Sequence, residues 1–255
     1  MLLTIDLGNT NTVFGLYDSG TLAFSWRLST NRGRTVDEYV MLLRNLFSLE
    51  NIDVGVVKAV IVASVVPPLD PILRKVSRRS FDLDATFVTA ENAGIPILYS
   101  DPAEVGADRI VDAVAVLDRY GVPAIVVDLG TATTFDAISA KGEYLGGLIS
   151  PGIEVSASAL IDQAARLPLT DIKKPKELIG RSTVTSLQSG FFWGYVSLVD
   201  GVIERMKDEL GKETRVIATG GMAELIQEES RWIQTMDSNL TLEGLYLVAR
   251  KLGIV

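Results

Sequence analysis

The 255-residue chain reads as a duplicated α/β protein, with a mixed sheet flanked by helices in each half. Three observations predict this. The string Thr4-Ile5-Asp6-Leu7-Gly8-Asn9-Thr10-Asn11-Thr12 returns as Val126-Val127-Asp128-Leu129-Gly130-Thr131-Ala132-Thr133-Thr134, and the spacing from Asp6 to Asp128 also separates Gly8 from Gly130, Thr12 from Thr134 and Gly20 from Gly142. That spacing runs without a gap from an apolar strand through a glycine turn into a second strand. Each half then passes from short strands into helices, and Gly121-Val122-Pro123 separates them, predicting domains over residues 1–121 and 122–255.

The strands of the first half are expected at 1–7, 12–17 and 22–28, with Asp18-Ser19-Gly20 as a hairpin turn. Those of the second are expected at 124–129, 133–139 and 144–149. Apolar spacing predicts a helix over 37–49, with Val40, Leu43, Leu46 and Phe47 on one face. A buried strand over 57–66 stops at Pro67-Pro68, and the basic run 74–79 reads as a solvated helix end. A helix over 107–120 turns Ile110, Val111, Val114 and Leu117 inward. The long helix 183–210 carries Val184, Leu187, Phe191, Tyr195, Leu198, Val202 and Met206 at helical spacing. It also holds Gly190 and Gly194, each costing about 1 kcal/mol against Ala in an exposed helix. Either a second helix approaches there or the glycines fit the helix onto its own sheet. A strand at 215–219, a short helix at 223–227 and a terminal helix at 242–252 complete the chain.

Composition removes several chemistries. There is no cysteine and no histidine, so thiolate nucleophiles, zinc–cysteine sites and histidine triads are excluded. Twenty-four basic residues against 32 acidic ones leave a net charge of −8, which argues against a non-specific grip on nucleic acid or an anionic membrane. The longest apolar stretch, 59–66, is too short to span a bilayer, and the N-terminus does not read as a signal peptide. The expected location is cytoplasmic.

A strand ending in Asp, followed by glycine and small hydroxyl or amide residues, suits a phosphate. Glycine admits the anion to the backbone, turn amides point at its oxygens, and hydroxyls add donors. An aspartate beside phosphate is tolerable with a cation between them, and oxygen ligands favour Mg²⁺ bridging phosphate oxygens. Val216-Ile217-Ala218-Thr219-Gly220-Gly221-Met222 is a third strand-to-glycine turn, where paired glycines would let a flat adenine lie against the backbone. Together the three turns resemble the superfamily of sugar and acetate kinases, heat-shock chaperones and actin. That resemblance implies two ribonuclease-H-like domains with ATP in a cleft between them.

The acceptor string has no counterpart in the second half: Tyr99-Ser100-Asp101-Pro102-Ala103-Glu104-Val105-Gly106-Ala107-Asp108-Arg109. With Asp6 to Asn11, Asp128 to Thr131, and Gly180-Arg181-Ser182-Thr183 followed by Gly190, it resembles type III pantothenate kinases from Leu3 to the Leu240-Thr241-Leu242-Glu243-Gly244-Leu245 string. The resemblance implies ATP-dependent phosphorylation of the primary hydroxyl of pantothenate, the first step towards coenzyme A. Asp6, Leu7, Gly8, Asn9, Thr10, Asn11, Thr12 and Val13 would hold ATP phosphates, with Asp6 acting through Mg²⁺. Thr131 would add a phosphate contact, and Gly220 and Gly221 would take the adenine end. Asp128 would hold a monovalent cation, K⁺ or NH₄⁺. Tyr99, Gly106, Ala107, Asp108 and Arg109 would bind pantothenate, Asp108 accepting the hydroxyl proton. Thr183 would reach pantothenate as well, from the partner subunit of a homodimer. A carboxylate of ordinary pKa, about 3.9, is a feeble base towards an alcohol. In a loose phosphoryl-transfer transition state, however, alignment of the hydroxyl matters more than basicity. The alternatives are a kinase of another small alcohol and a non-catalytic nucleotide-dependent regulator.

Overall fold

In the computed structural model, which describes residues 1–255, both copies of the repeat take one five-stranded topology. Strands β1 (Leu2–Leu7), β2 (Asn11–Asp18) and β3 (Thr21–Ser29) form an antiparallel meander. On the other side of β1, β4 (Ala59–Ser64) and β5 (Ala85–Phe87) add in parallel. The second copy repeats this with β6 (Ala124–Leu129), β7 (Ala132–Ile138) and β8 (Tyr144–Pro151) antiparallel. Parallel to β6 lie β9 (Arg215–Thr219) and then β10 (Thr235–Met236). The expected mixed sheets are present, and β1 and β6 share one burial pattern in which every residue except the aspartate is buried.

The gap-free spacing conceals a one-residue slip. Leu7 pairs with Thr12 across a four-residue turn, whereas Leu129 pairs with Thr133 across a three-residue turn. The structural counterpart of Thr12 is therefore Thr133, and Phe14 matches Phe135, both wholly buried. The hairpin loop restores the count. β2 and β3 are joined through Ser19 and Gly20, both at positive φ, a two-residue type I′ turn. The second copy closes a three-residue loop in which Ser139 pairs with Glu143 and Gly142 sits at φ +78°.

The molecule divides into residues 1–115 with 240–255, and residues 116–239. This differs from the expected division at 121/122. The break falls inside α3 (Ala107–Arg119), and the terminal helix, beginning at Leu240, joins the first unit. Packing gives the reason. A Cβ on Gly244 would stand 2.5 Å from the Val111 carbonyl carbon, so only glycine lets the terminal helix lie on α3. Tyr17 also stacks on Tyr246 at 4.8 Å between centroids and donates its hydroxyl to Glu243.

In the first unit, α1 (Val36–Leu49) and α2 (Asp70–Phe81) cover the sheet face that presents Leu3, Ile5, Leu7, Phe14 and Leu16. Thr35 and Glu38 form a capping box at the start of α1. The Thr35 N–H and hydroxyl lower the Glu38 carboxyl pKa. In the second unit, α4 (Ile153–Gln163), α5 (Thr183–Leu210) and α6 (Ala223–Gln227) pack on Ile125, Val127, Leu129 and Phe135. The terminal helix of the first unit is α7 (Leu240–Lys251).

On α5 the buried stripe is Phe192, Tyr195, Val196, Val199, Ile203 and Met206. The stripe expected from spacing overlaps it only at Tyr195 and Met206, while Val184 and Leu198 are exposed. Positions Gly190 and Gly194 have open space around them, so they do not fit the helix onto its own sheet. No helix is long and apolar enough to cross a membrane.

Candidate functional site

Asp6 and Asp128 each sit one residue before the end of a strand that has an antiparallel neighbour on one side and a parallel one on the other, and both are half-buried. In open α/β sheets this carboxyl end of the strands is where ligands bind. In the first turn the Gly8 N–H donates to the Asn11 carbonyl at 3.0 Å, and Asn9 and Thr10 are exposed at its tip. Leu7 and Thr12 turn fully buried side chains into the core, so only their main chains can face a ligand. The Thr12 hydroxyl lies 2.8 Å from that of Thr30, which donates to the Gly8 carbonyl at 2.7 Å. Val13 stands opposite Asp6 in the register.

The acceptor string belongs to the same unit and the same end of its sheet. The Val65 N–H donates to the Leu7 carbonyl, and a Cβ on Gly106 would lie 3.3 Å from Val65 Cγ1. That Cβ would also fall 2.5 Å from Asp108 Oδ1, so glycine at 106 is what lets the carboxylate fold back over the start of α3. The same Oδ1 accepts the Arg109 N–H at 2.7 Å, which satisfies one amide of the helix's first turn. Asp108, Arg109 and Tyr99 are half-buried, whereas the Ala107 side chain is buried and leaves only its backbone available. Asp6, the phosphate turn and Gly106 to Arg109 are thus brought to one sheet end.

In the second unit three elements converge on the turn after Asp128. The Gly152 N–H, at the start of α4, donates to the Thr131 carbonyl at 3.1 Å, and the Met222 N–H donates to the Leu129 carbonyl at 3.1 Å. A Cβ on Gly220 would lie 2.6 Å from the Leu129 carbonyl carbon and nearer still to Asp128 Oδ1, so this glycine seats the carboxylate. Gly221 is exposed and open. Beneath the turn, the buried Thr133 hydroxyl bonds the Tyr195 phenol. Burial raises the Tyr195 pKa, the Thr133 hydroxyl and the Ile153 N–H lower it, and the negative charge of Asp128 raises it. Thr183 is exposed at the first position of α5, behind the Ser182–Thr185 capping box.

The donor chemistry bears on which cations fit. No three carboxylates gather in a metal cage. A single aspartate suits a Mg²⁺ whose remaining ligands are phosphate oxygens and water, and equally a monovalent cation completed by carbonyl oxygens. Thr30, Arg32 and Tyr195 are residues at these turns that sequence reading did not select. The regular spacing of Tyr195 within α5 gave only a core signal, and Thr30 and Arg32 lie in a loop without a motif.

Comparison with known proteins completes the description. The family model for type III pantothenate kinase matches residues 2–205. A type III pantothenate kinase of Koribacter versatilis is 50% identical over 259 residues, covering 97% of this chain and 94% of the relative. The Myxococcus xanthus enzyme of that name is 51% identical over 249 residues, covering 97% of both. Among solved structures, a conserved candidate transcriptional activator of the Baf family from Campylobacter jejuni superposes with a TM-score of 0.64 at 20% identity, covering 99% of this chain and 100% of that one. At that identity the likeness speaks to fold alone.

Proposed function

Since the chain belongs to the type III pantothenate kinase family and phosphorylates pantothenate with ATP in coenzyme A biosynthesis, we propose the following division of labour among its residues. Asp108 accepts the proton of pantothenate's primary hydroxyl. Gly106, Ala107 and Arg109, with Tyr99, bind the rest of that substrate. Backbone and side chains from Asp6 to Val13 hold the ATP phosphates, Thr131 contributes a further phosphate contact, and Gly220 and Gly221 serve the adenine end.

The reaction breaks the bond between the γ-phosphorus and its bridging oxygen to ADP. It forms a bond from the hydroxyl oxygen to that phosphorus, and the hydroxyl proton passes to the Asp108 carboxylate. The observation that carries this reading is the fold of Asp108 over Gly106, which fixes a carboxylate at the sheet end shared with Asp6. Proton transfer by a positioned carboxylate contributes typically about 10²–10⁴-fold. Asp6 would hold Mg²⁺ and Asp128 a monovalent cation, K⁺ or NH₄⁺; such cations supply charge neutralisation at the phosphates.

The test is ADP release from ATP and Mg²⁺ on adding pantothenate, with and without K⁺ or NH₄⁺. Asp108→Asn should lower kcat by at least about 100-fold while nucleotide affinity changes little. Normal turnover by the variant would remove Asp108 from the mechanism, and equal rates without either monovalent cation would remove the role of Asp128.

A homodimer is also proposed, with Thr183 completing the partner's site. Gly190 and Gly194 open onto solvent on the side of α5 that exposes Val184 and Leu198, a face with room for a second helix. Light scattering should return the mass of two chains; a monomer at micromolar concentration would refute it.

A further inference from the structure

The first phosphate turn lacks the lysine that many nucleotide-binding loops carry, and between Met1 and Asn31 the only cationic side chain is Arg27. The loop that follows β3 brings another to the turn. Thr30 is bound to it twice through its own donors: its N–H donates to the Thr10 carbonyl at 2.8 Å, and its hydroxyl donates to the Gly8 carbonyl at 2.7 Å. At the next residue the Asn31 side chain accepts the Gly33 N–H at 2.9 Å and its carbonyl accepts the Arg34 N–H at 3.1 Å, which turns the chain sharply. That turn sends Arg32 back over the phosphate loop, where Nη2 donates to Asn9 Oδ1 at 3.0 Å. Arg34 points elsewhere, donating to the Ser29 carbonyl and lying over the Tyr39 ring at 5.1 Å.

We propose that Arg32 is the guanidinium that binds the triphosphate of ATP, held over the phosphate turn by Asn9 and aimed there by the Thr30 anchor. The proposal rests on the reading that residues 6–13 hold the ATP phosphates. A guanidinium carries five donors in a planar fork matched to phosphate oxygens, and the structure engages one of them, on the exposed tip residue of the turn. The remaining donors are available to an anion in the same turn. The arrangement also gives Asn9 a role as the rest position of the guanidinium. It places a permanent positive charge at a turn, residues 8–12, that itself supplies only amides and hydroxyls.

Arg32→Ala and Arg32→Lys, with Arg34→Ala as the neighbouring control, test this by steady-state kinetics and by equilibrium binding of ATP with Mg²⁺. Loss of a charge-assisted contact should raise the KM and Kd for ATP by about tenfold or more. Pantothenate KM and the melting temperature should stay unchanged. Lysine should restore part of the loss, because it keeps the charge but not the fork. Unchanged ATP affinity in Arg32→Ala, or a defect confined to pantothenate KM, overturns the proposal. If the wild type itself failed to bind ATP, the reading of residues 6–13 would fail, whereas binding by the wild type with no loss in the variant refutes Arg32 alone.

Discussion

Replacing Gly220 by alanine should damage the second turn far more than the same replacement one residue later. Gly220 has φ +95°, and a left-handed conformation costs an L-residue about 1–2 kcal/mol. Its Cβ would stand 2.6 Å and 2.7 Å from the carbonyl carbon and nitrogen of Leu129, backbone atoms of a central strand that cannot step aside. Overpacking of that kind adds about 1–3 kcal/mol. Together the two effects come to about 2–5 kcal/mol, or a melting temperature lower by roughly 4–20 °C at 2–4 °C per kcal/mol. The Cβ also displaces the Asp128 carboxylate, so the proposed activation by a monovalent cation should weaken alongside stability. Gly221→Ala meets nothing within 4 Å and should melt within about 2 °C of the wild type, as unremarkable surface substitutions do. Thermal melts of both variants, with rates measured across a potassium titration, decide the matter. Equal behaviour of the two alanines would refute the argument that Gly220 seats Asp128.

Two further outcomes follow from packing and titration. Gly244→Ala drives a Cβ against the Val111 carbonyl and should destabilise the first unit by about 1–3 kcal/mol, read as loss of protection from proteolysis at α7, whereas an intact α7 would contradict the reason given for its place in that unit. Tyr195→Phe leaves the buried Thr133 hydroxyl without its phenol and should cost about 1–3 kcal/mol in denaturant unfolding at neutral pH. Its pH dependence has a definite sign. The folded phenol titrates above its ordinary 10.0 because burial disfavours the phenolate, so unfolded chains lose the proton first as pH climbs past 10. That phenol's contribution is whole below pH 10 and is lost as pH rises through the folded value. The variant should therefore lose less stability than wild type between pH 8 and 10.5, and parallel losses would show that the phenol is not held neutral by its surroundings.

Much of the fold was legible because period-two strands and glycine turns are local signals. The spans of β6, α5, β9 and α6 coincide with their expected bounds, and β1 to β3 differ by a residue at their ends. What escaped notice depended on approach of distant segments. The exposed stripe on α5 and the buried one are both apolar and both helical in spacing, so periodicity could not tell them apart; only the sheet beneath Phe192 and Val196 chooses. Helix α4 gave no sign because Ser156, Ser158, Asp162 and Gln163 blur its apolar face. At the candidate site, the strings around Asp6, Asp108 and Asp128 were visible from glycine placement. Arg32 and Tyr195 were not, since their relation to the turns exists only through Asn9 and Thr133.

The slip between the two copies explains why one scaffold carries two different turns. In a strand, a shift of one residue moves every side chain to the other face, so β7 can lose a residue from its turn only if its own pairing with β6 is kept and the count is restored before β8. Both conditions hold: Phe135 occupies the buried place of Phe14, and the longer hairpin loop returns Tyr144 to the register of Leu22, with a bulge at the same step in both copies. The strands are therefore fixed by their cores while the turn length is free. Four residues in the first turn put Asn9 and Thr10 at an exposed tip within reach of Thr30 and Arg32. Three residues in the second draw the chain down, so that Gly152 and Met222 hold it by the backbone and Tyr195 holds Thr133 from below. A turn built on exposed tip donors fits the proposed contact with ATP phosphates, and a turn held through its backbone by Gly152 and Met222 fits the proposed role of Asp128 towards a monovalent cation.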